Sequence, residues 1–407
     1  MRILVHALNS APEVTGCGKL TGELVTWLAE RGHEVHVVTA PPYYPAWKVS
    51  EKYSKWTYSK ESDHERLVVY RCPLWVPSKP SGLRRIFHLA SFAVSSFPVM
   101  ILQALWAPQA VITVEPTLFV VPGSLLCARL SRALAWLHVQ DFEVNAAFEL
   151  HLLPARGLIH RIARGTERFL MRRYDCCSTI SVNMMKRLLA KGVAPSRAVL
   201  FPNWVDTDQI VPQSGPNPYR QQLGLSPDTI LLHYSGNLGN KQGLEILPLL
   251  VKAFADDPRI HFLFAGTGSF RAQLAAGISG LGNATLLPLQ PLDRLNDLMS
   301  AADIHLLPQR SDAADIVMPS KLQSMLASGR PVVATASPGT QVAEVLEFCG
   351  VCTPPGDLQA LVVAIRQLVD DPDRRTALGV AARKYAVEYL GKQQVLKNFE
   401  SELCARL

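Results

Sequence analysis

The sequence has no internal repeat and no low-complexity tract, and only 18% of its 407 residues are charged. A disordered chain is excluded, because 48% hydrophobic residues at this length supply two large cores. The eight cysteines, at positions 17, 72, 127, 176, 177, 349, 352 and 404, have no paired zinc spacing. Cys349-Gly-Val-Cys352 has the CxxC form, but it runs into the strand-to-turn segment TPPGD, whereas redox pairs open a helix. No signal peptide is expected, since the opening MRILVHALNSAPE turns polar too soon. A reducing cytoplasm fits this cysteine usage best. The net charge of +7 and a pI near 9.0 point to an anionic partner. Zinc-finger spacing and aromatic RNA-recognition signatures are both missing, so no nucleic acid is expected and lipid headgroups or phosphorylated small molecules are left.

Along the chain, apolar strand patterns alternate with helical ones. Strands are predicted over Ile3 to Ala7, Val35 to Thr39 and Val111 to Val114, with helices near Gly18 to Arg31 and Phe119 to Leu130. A Pro-rich stretch, Val211 to Pro218, interrupts the pattern near the middle. The alternation then restarts with Ile230 to Tyr234, a helix near Leu244 to Ala255, and strands over His261 to Ala265, Ile304 to Leu307 and Val332 to Ala334. This predicts an α/β fold with two doubly wound domains, whose ligand loops follow the carboxyl ends of the strands and face a shared cleft.

Several loops carry candidate chemistry. In NSAPEVTGCGK, Gly16, Gly18 and Gly22 imitate a dinucleotide fingerprint, but about eight residues separate Ala7 from the first glycine, too many for that turn. A flexible loop is predicted instead, whose Gly16 and Gly18 let backbone N–H groups approach a donor phosphate or sugar. Strand, glycines and helix recur in YSGNLGNKQG, where Lys241 is available for a diphosphate, and FAGTG offers the backbone of its two glycines, Gly266 and Gly268, to a nucleobase. In VMPSKLQSMLASGRPVVA, Pro319 and Ser320 start a helix of about Lys321 to Ser328. Its free N–H groups and the Lys321 charge would attract an anion. On the first half, His138 ends the apolar run Leu134 to Leu137 and Asp141 follows, so both are predicted at the cleft edge, with Glu115 a weaker candidate.

Taken together, PEVTGCGK, LAERGHEVHVVTAPP, FPNWVDTD, GNLGNKQGLE, FAGTG, AADIHLLPQ, PSKLQSMLASGRPVVA and GVCTPPGD, in this order, cover almost the whole chain. The sequence thereby resembles the retaining nucleotide-sugar glycosyltransferases of the two-Rossmann-domain (GT-B) type, family 4. TAPPYYP and LHVQDFEVNAAFEL most resemble the colanic acid biosynthesis subgroup, described as fucosyltransferases acting on a lipid-linked repeat unit.

The resemblance implies an acceptor-binding domain over residues 1–205 and a nucleotide-sugar-binding domain over 206–390. It also implies a terminal helix, 391–407, that crosses back to the first domain. The donor is a GDP- or UDP-linked sugar, with L-fucose the sugar of the subgroup, and the acceptor is a polyprenyl-diphosphate-linked saccharide. No metal or other cofactor is expected, although Asp206-Thr207-Asp208 imitates a metal-binding Asp-x-Asp. The resemblance further implies a front-face reaction in which the departing diphosphate helps deprotonate the acceptor. His138, Asp141 and Lys321 are then the catalytic candidates. Gly16, Gly18, Asn237, Lys241, Gly266, Thr267, Pro319, Ser320 and Ser324 are the donor-binding ones.

The chain also departs from the family. Asn237 stands where many relatives place arginine and Gln242 where they place lysine, with Lys241 one residue earlier. The usual pair of glutamates would fall on Ile316 and Ser324, leaving Ser324 for a ribose and Asp312 or Asp315 as substitutes. A nucleotide-sugar 2-epimerase and a non-catalytic nucleotide-sugar-binding protein share this architecture and are the alternatives.

Two segments speak to membranes. Phe92 to Trp106 is apolar for about fifteen residues, short for a span and interrupted by Pro98. Arg156 to Arg173 has the pattern of a basic amphipathic helix suited to anionic headgroups. A cytoplasmic protein, peripheral on the inner face of the plasma membrane, is expected.

Overall fold

The structure, a computed structural model, describes residues 1–14, 16–78, 82–115, 118–142, 157–239, 242–310 and 319–407. It divides into two compact units, Met1–Pro202 with Leu396–Leu407, and Asn203–Val395. The sequence reading drew these lines at 205/206 and 390/391. Val205 moves them, because its N–H donates to the Leu390 carbonyl and its own carbonyl accepts from Lys392 N–H. Its side chain is buried with Ile210 and Leu390 in the second unit.

In the first unit the strands are β1 Arg2–Ala7, β2 Glu34–Thr39, β3 Ser59–His64, β4 Leu67–Arg71, β5 Ala110–Glu115, β6 Leu134–Val139, β7 Cys176–Thr179 and β8 Ala198–Leu200. They form one sheet in the order β3-β4-β2-β1-β5-β6-β7-β8, parallel except for edge strand β3. Central strands β1 and β5 are buried along almost their whole length, which is why they read as continuous apolar runs. The helix Leu83–Trp106 covers this sheet through Leu89, Phe92 and Met100. It is continuous over 24 residues, and Pro98 does not end it. Proline removes one i→i−4 bond, and both Pro98 and its would-be acceptor Val94 lie on the exposed side, where water can replace the lost donor. The terminal residues close the unit: Phe399 stacks on Phe201 at 4.2 Å and meets Trp136 edge-on at 5.1 Å. Glu400 accepts from His33 at 2.8 Å and from Arg31 at 3.2 Å.

In the second unit β9 Ile230–Asn237, β10 Ile260–Thr267, β11 Ala284–Leu287, β12 Ile304–Leu307, β13 Val332–Thr335 and β14 Gly350–Thr353 form a parallel sheet. Its order is β11-β10-β9-β12-β13-β14. Successive strands run outward from β9 on one side and from β12 on the other. That reversal opens a crevice beyond the carboxyl ends of β9 and β12, where doubly wound sheets bind ligands. The helix Ser320–Ala327 is fixed beside it by Leu322, Met325 and Leu326, whose i, i+3, i+4 spacing makes one buried stripe.

Candidate functional site

Lys321 is the second residue of the helix Ser320–Ala327, whose N-cap is Pro319 and which no side chain caps. The Leu322 N–H turns back to the Pro319 carbonyl at 3.0 Å, so the N–H groups of Ser320 and Lys321 are the ones a ligand can take, with the positive end of the helix dipole behind them. The Lys321 ammonium reaches back over the end of β9. It donates to the Tyr234 hydroxyl at 2.6 Å and to Gln242 Oε1 at 3.3 Å, and lies 4.2 Å from the centre of the Tyr234 ring. Tyr234 in turn donates to the Asn237 carbonyl at 3.0 Å. Among the described residues no carboxylate pairs with Lys321, and burial lowers its pKa to about 8. It is a desolvated cation held by neutral acceptors, an arrangement that an incoming anion relieves.

Glycines bring the neighbouring loops together. A Cβ on Gly266 would stand 1.9 Å from the Gly236 carbonyl oxygen, and one on Gly268 2.4 Å from that of Leu238, so the ends of β9 and β10 touch backbone to backbone. Gly243 likewise lies against the Gln309 backbone beyond β12. The Thr335 hydroxyl fixes Gln309 further, accepting from its N–H at 2.8 Å and donating to its carbonyl at 2.9 Å. Gly266 and Thr267 pair in register with Gly236 and Asn237, so the structure gathers these candidates at one sheet edge, Thr267 and Asn237 exposed and Gly266 buried. Ser320 is exposed at the helix start, and Ser324 is half-buried one turn on. Lys241, Asp312, Asp315 and Ile316 lie outside the described residues.

Beneath Lys321 runs a buried polar chain that sequence reasoning missed. The Ser328 hydroxyl donates to the Met325 carbonyl at 2.6 Å, so it accepts from His305 Nε2–H at 3.0 Å. His305 Nδ1 is then a lone pair, and it accepts from His233 Nδ1–H at 3.2 Å. Both imidazoles are wholly buried. Desolvation lowers the His233 pKa to about 3, with the nearby Lys321 charge adding to it, and lowers that of His305 well below its ordinary value. The chain ties β9 and β12 to the far end of the lysine's helix without adding charge. Its signal in the sequence is the pair HY and IH inside two apolar strands, unusual positions for histidine.

The first unit alters the sequence reading at two points. Strand β6 runs to Val139, so His138 is an interior strand residue paired with Val114, and it is buried. Its Nε2 accepts from the Gln140 amide at 2.8 Å and its Nδ1 donates to Ser178 Oγ at 2.9 Å. Burial lowers its pKa to about 3. With both nitrogens bonded inside the fold, His138 is a neutral imidazole within strand β6 in this structure, where the sequence reading ends the strand with it at the cleft edge.

The second correction concerns the loop after β1. A Cβ on Gly18 would meet Glu13 Oε2 at 2.4 Å, so this glycine makes room for a carboxylate where a phosphate was expected. Glu13 accepts from Tyr43 N–H and Tyr44 N–H, both at 3.0 Å, and from Asn9 Nδ2 at 2.9 Å. Burial raises its pKa against those bonds. Glu13 thereby ties this part of the loop to Asn9 and to the backbone of Tyr43 and Tyr44. Gly16, with φ of 59°, stays exposed at the start of the helix Gly16–Glu30. Asp141 is half-buried near Cys17, whose thiol is pushed up to about 12, first by burial and then by the Asp141 charge. Glu115 is buried at the end of β5.

Asp206 accepts from the N–H groups of Asp208 and Gln209, both at 3.1 Å, so the Asp-Thr-Asp run closes its own turn. Among the described residues no cluster of three His, Cys, Asp or Glu side chains is placed to hold a metal. A cavity of about 350 Å³ opens at the opposite, amino-terminal edge of β12 and β13. Its three arginines cap carbonyls: Arg330 that of Ser300, Arg375 those of Leu368 and Val369, and Arg383 that of Ala327. Those bonds close helix ends, so the cavity is a packing seam away from the switch point.

Comparison with known proteins agrees with this geometry. Residues 15–204 match the family model of the glycosyl transferase 4-like domain, and residues 217–385 match that of glycosyl transferases group 1. The chain is 43% identical to the putative colanic acid biosynthesis glycosyl transferase WcaI of Escherichia coli strain K12, over 99% of this chain and 100% of that one. Among solved structures it resembles sucrose-phosphate synthase (tll1590) from Thermosynechococcus elongatus, with a TM-score of 0.74 at 17% identity over 99% of this chain and 98% of that one. It also resembles Anabaena Alr3699/HepE in complex with UDP, with a TM-score of 0.70 at 17% identity over the full length of both.

Proposed function

The chain belongs to the GT-B glycosyltransferases that join a 4-like domain to a group 1 domain, and from that premise we propose a retaining transfer of a sugar from a nucleoside diphosphate to a lipid-linked saccharide. The observation that carries the reading is Lys321, a half-buried cation with no carboxylate partner among the described residues, at a helix N-terminus without a side-chain cap beside the switch point. In the reaction the bond from the sugar's anomeric carbon to the diphosphate oxygen breaks, and a bond to the acceptor oxygen forms on the same face. The acceptor proton passes to the departing phosphate oxygen. Negative charge thus grows on the diphosphate, where Lys321 and the helix N–H groups stabilise it, and no metal is required of the site. Tyr234 and Gln242 keep the ammonium in place without neutralising it.

Exopolysaccharide synthesis is the proposed setting, because the relative at 43% identity is named for colanic acid biosynthesis. L-Fucose is the proposed sugar, from the resemblance of TAPPYYP and LHVQDFEVNAAFEL to that subgroup. The proposed nucleotide is GDP for a fucosyl donor, while a structural relative holding UDP keeps UDP as the second candidate. We also propose peripheral attachment at the cytoplasmic face of the membrane, where a polyprenyl acceptor resides. In support, the helix Leu83–Trp106 is long and apolar enough to cross a bilayer, with mean hydropathy 1.6, yet its Leu89, Phe92 and Met100 are core residues. Its exposed Leu83, Phe87, Val94, Leu102 and Leu105 suit an interface. The helix Leu158–Met171 adds exposed Arg161, Arg164 and Arg168 for anionic headgroups.

The test is transfer from GDP-fucose, with UDP-sugars in parallel, to a polyprenyl-diphosphate saccharide in vesicles. The expected result is donor consumption that requires acceptor. Donor conversion without acceptor contradicts transfer and favours epimerisation.

A further inference from the structure

We propose that Tyr234 is the positioning residue of the anion site, holding the Lys321 ammonium by its hydroxyl and ring so that the remaining N–H points to the donor diphosphate. This rests on the reading of Lys321 as a diphosphate ligand. Tyr234 is wholly buried in the middle of β9, 87 positions from Lys321 in sequence. A lysine side chain has four rotatable bonds, and a free one would sample many positions at this helix start. Three contacts remove that freedom: the 2.6 Å bond to the Tyr234 hydroxyl, the 4.2 Å approach to its ring, and the 3.3 Å bond to Gln242.

The acceptors' chemistry matters as much as their place. A carboxylate here would hold the ammonium more tightly but would repel a diphosphate and compete for the same charge. A phenol hydroxyl accepts a hydrogen bond while adding no charge, and it keeps its own proton because it donates to the Asn237 carbonyl at 3.0 Å. The ring face adds a cation–π attraction that stays in place when an anion arrives. Two of the three ammonium N–H bonds are thus assigned by the protein, leaving one for the ligand.

A double-mutant cycle on the full chain tests this, using titration calorimetry with GDP and UDP up to millimolar concentration. Tyr234→Phe, Lys321→Met and the double variant are compared with wild type, and ligand-free melting reports folding. Lys321→Met should weaken the preferred diphosphate about tenfold or more, and Tyr234→Phe about three- to tenfold, the effect of a charge-assisted bond. In the Lys321→Met background Tyr234→Phe should then change affinity less than about twofold, because its effect acts through the lysine. Additive losses overturn the role, since a merely structural tyrosine would weaken binding in either background. Wild-type affinity in Tyr234→Phe beside a weakened Lys321→Met overturns this role alone, whereas wild-type affinity in Lys321→Met overturns the diphosphate site and the role together.

Discussion

Lys321 Nζ lies 2.6 Å from the hydroxyl of Tyr234 and 4.2 Å from the centre of its ring, so this cation beside the switch point rests on a neutral aromatic side chain. A charge removed from water and left without a counter-ion is costly to the free protein and useful to the complex.

One consequence is a stability trade. Lys321→Met removes a desolvated charge whose pKa is lowered from 10.5 to about 8. The ligand-free variant should therefore be more stable at pH 7, by on the order of 1–3 kcal/mol, while losing stabilisation by nucleoside diphosphate. Urea denaturation with and without ligand measures both, and a ligand-free variant weaker than wild type contradicts the account.

The same shift sets a pH dependence. Between pH 8 and 10.5 the unfolded chain holds a proton on this lysine that the folded chain has lost, so this group makes stability rise with pH across that window. Diphosphate needs the protonated lysine, so affinity should fall as pH rises through about 8. Calorimetric titrations at pH 7 and 9 should differ in wild type and agree in Lys321→Met.

Buried neutral histidines give the opposite edge. His6, His138 and His233 each have a pKa lowered to about 3 by burial. The unfolded chain takes up these protons first, so stability is complete above pH 6.5 and declines as pH falls from there towards 3. By pH 5 each costs about 2 kcal/mol. His138→Gln should flatten the decline between pH 7 and 5 by one proton's worth, read from urea unfolding at the two values.

The meeting of β9 and β10 has no room for a side chain. Gly266→Ala should destabilise the fold by roughly 2–4 kcal/mol, because the clash is with the Gly236 backbone, which cannot swing aside. Gly280→Ala, also at positive φ but in open space, should cost less, and equal losses in the two would show that crowding is not the cause.

Membrane attachment can be separated from catalysis. Leu102→Ser with Leu105→Ser should reduce sedimentation with anionic vesicles several-fold while leaving melting nearly unchanged, since both side chains are exposed. Unchanged sedimentation would remove this helix from the attachment surface.

Much of the fold was legible in the sequence, because β/α alternation and the Pro-rich stretch are local signals. The two parallel sheets follow from them, as does the gathering of glycines at strand ends. His138 was misplaced because strand ends are weakly marked: one more residue, Val139, turns an edge position into an interior one. The role of Gly18 was hidden because its partner Glu13 lies across a turn, and glycine reads alike whether it admits a ligand or a neighbouring side chain. Tyr234 looked like an ordinary strand residue, since its contact with Lys321 exists only once β9 and the helix Ser320–Ala327 are side by side.

The most direct measurement is the affinity of purified wild type and Lys321→Ala for GDP and UDP by titration calorimetry. The account predicts binding of one diphosphate by wild type, weakened at least about tenfold in Lys321→Ala with the fold intact, the loss expected of a charged phosphate contact. Equal affinity in the two proteins would contradict it.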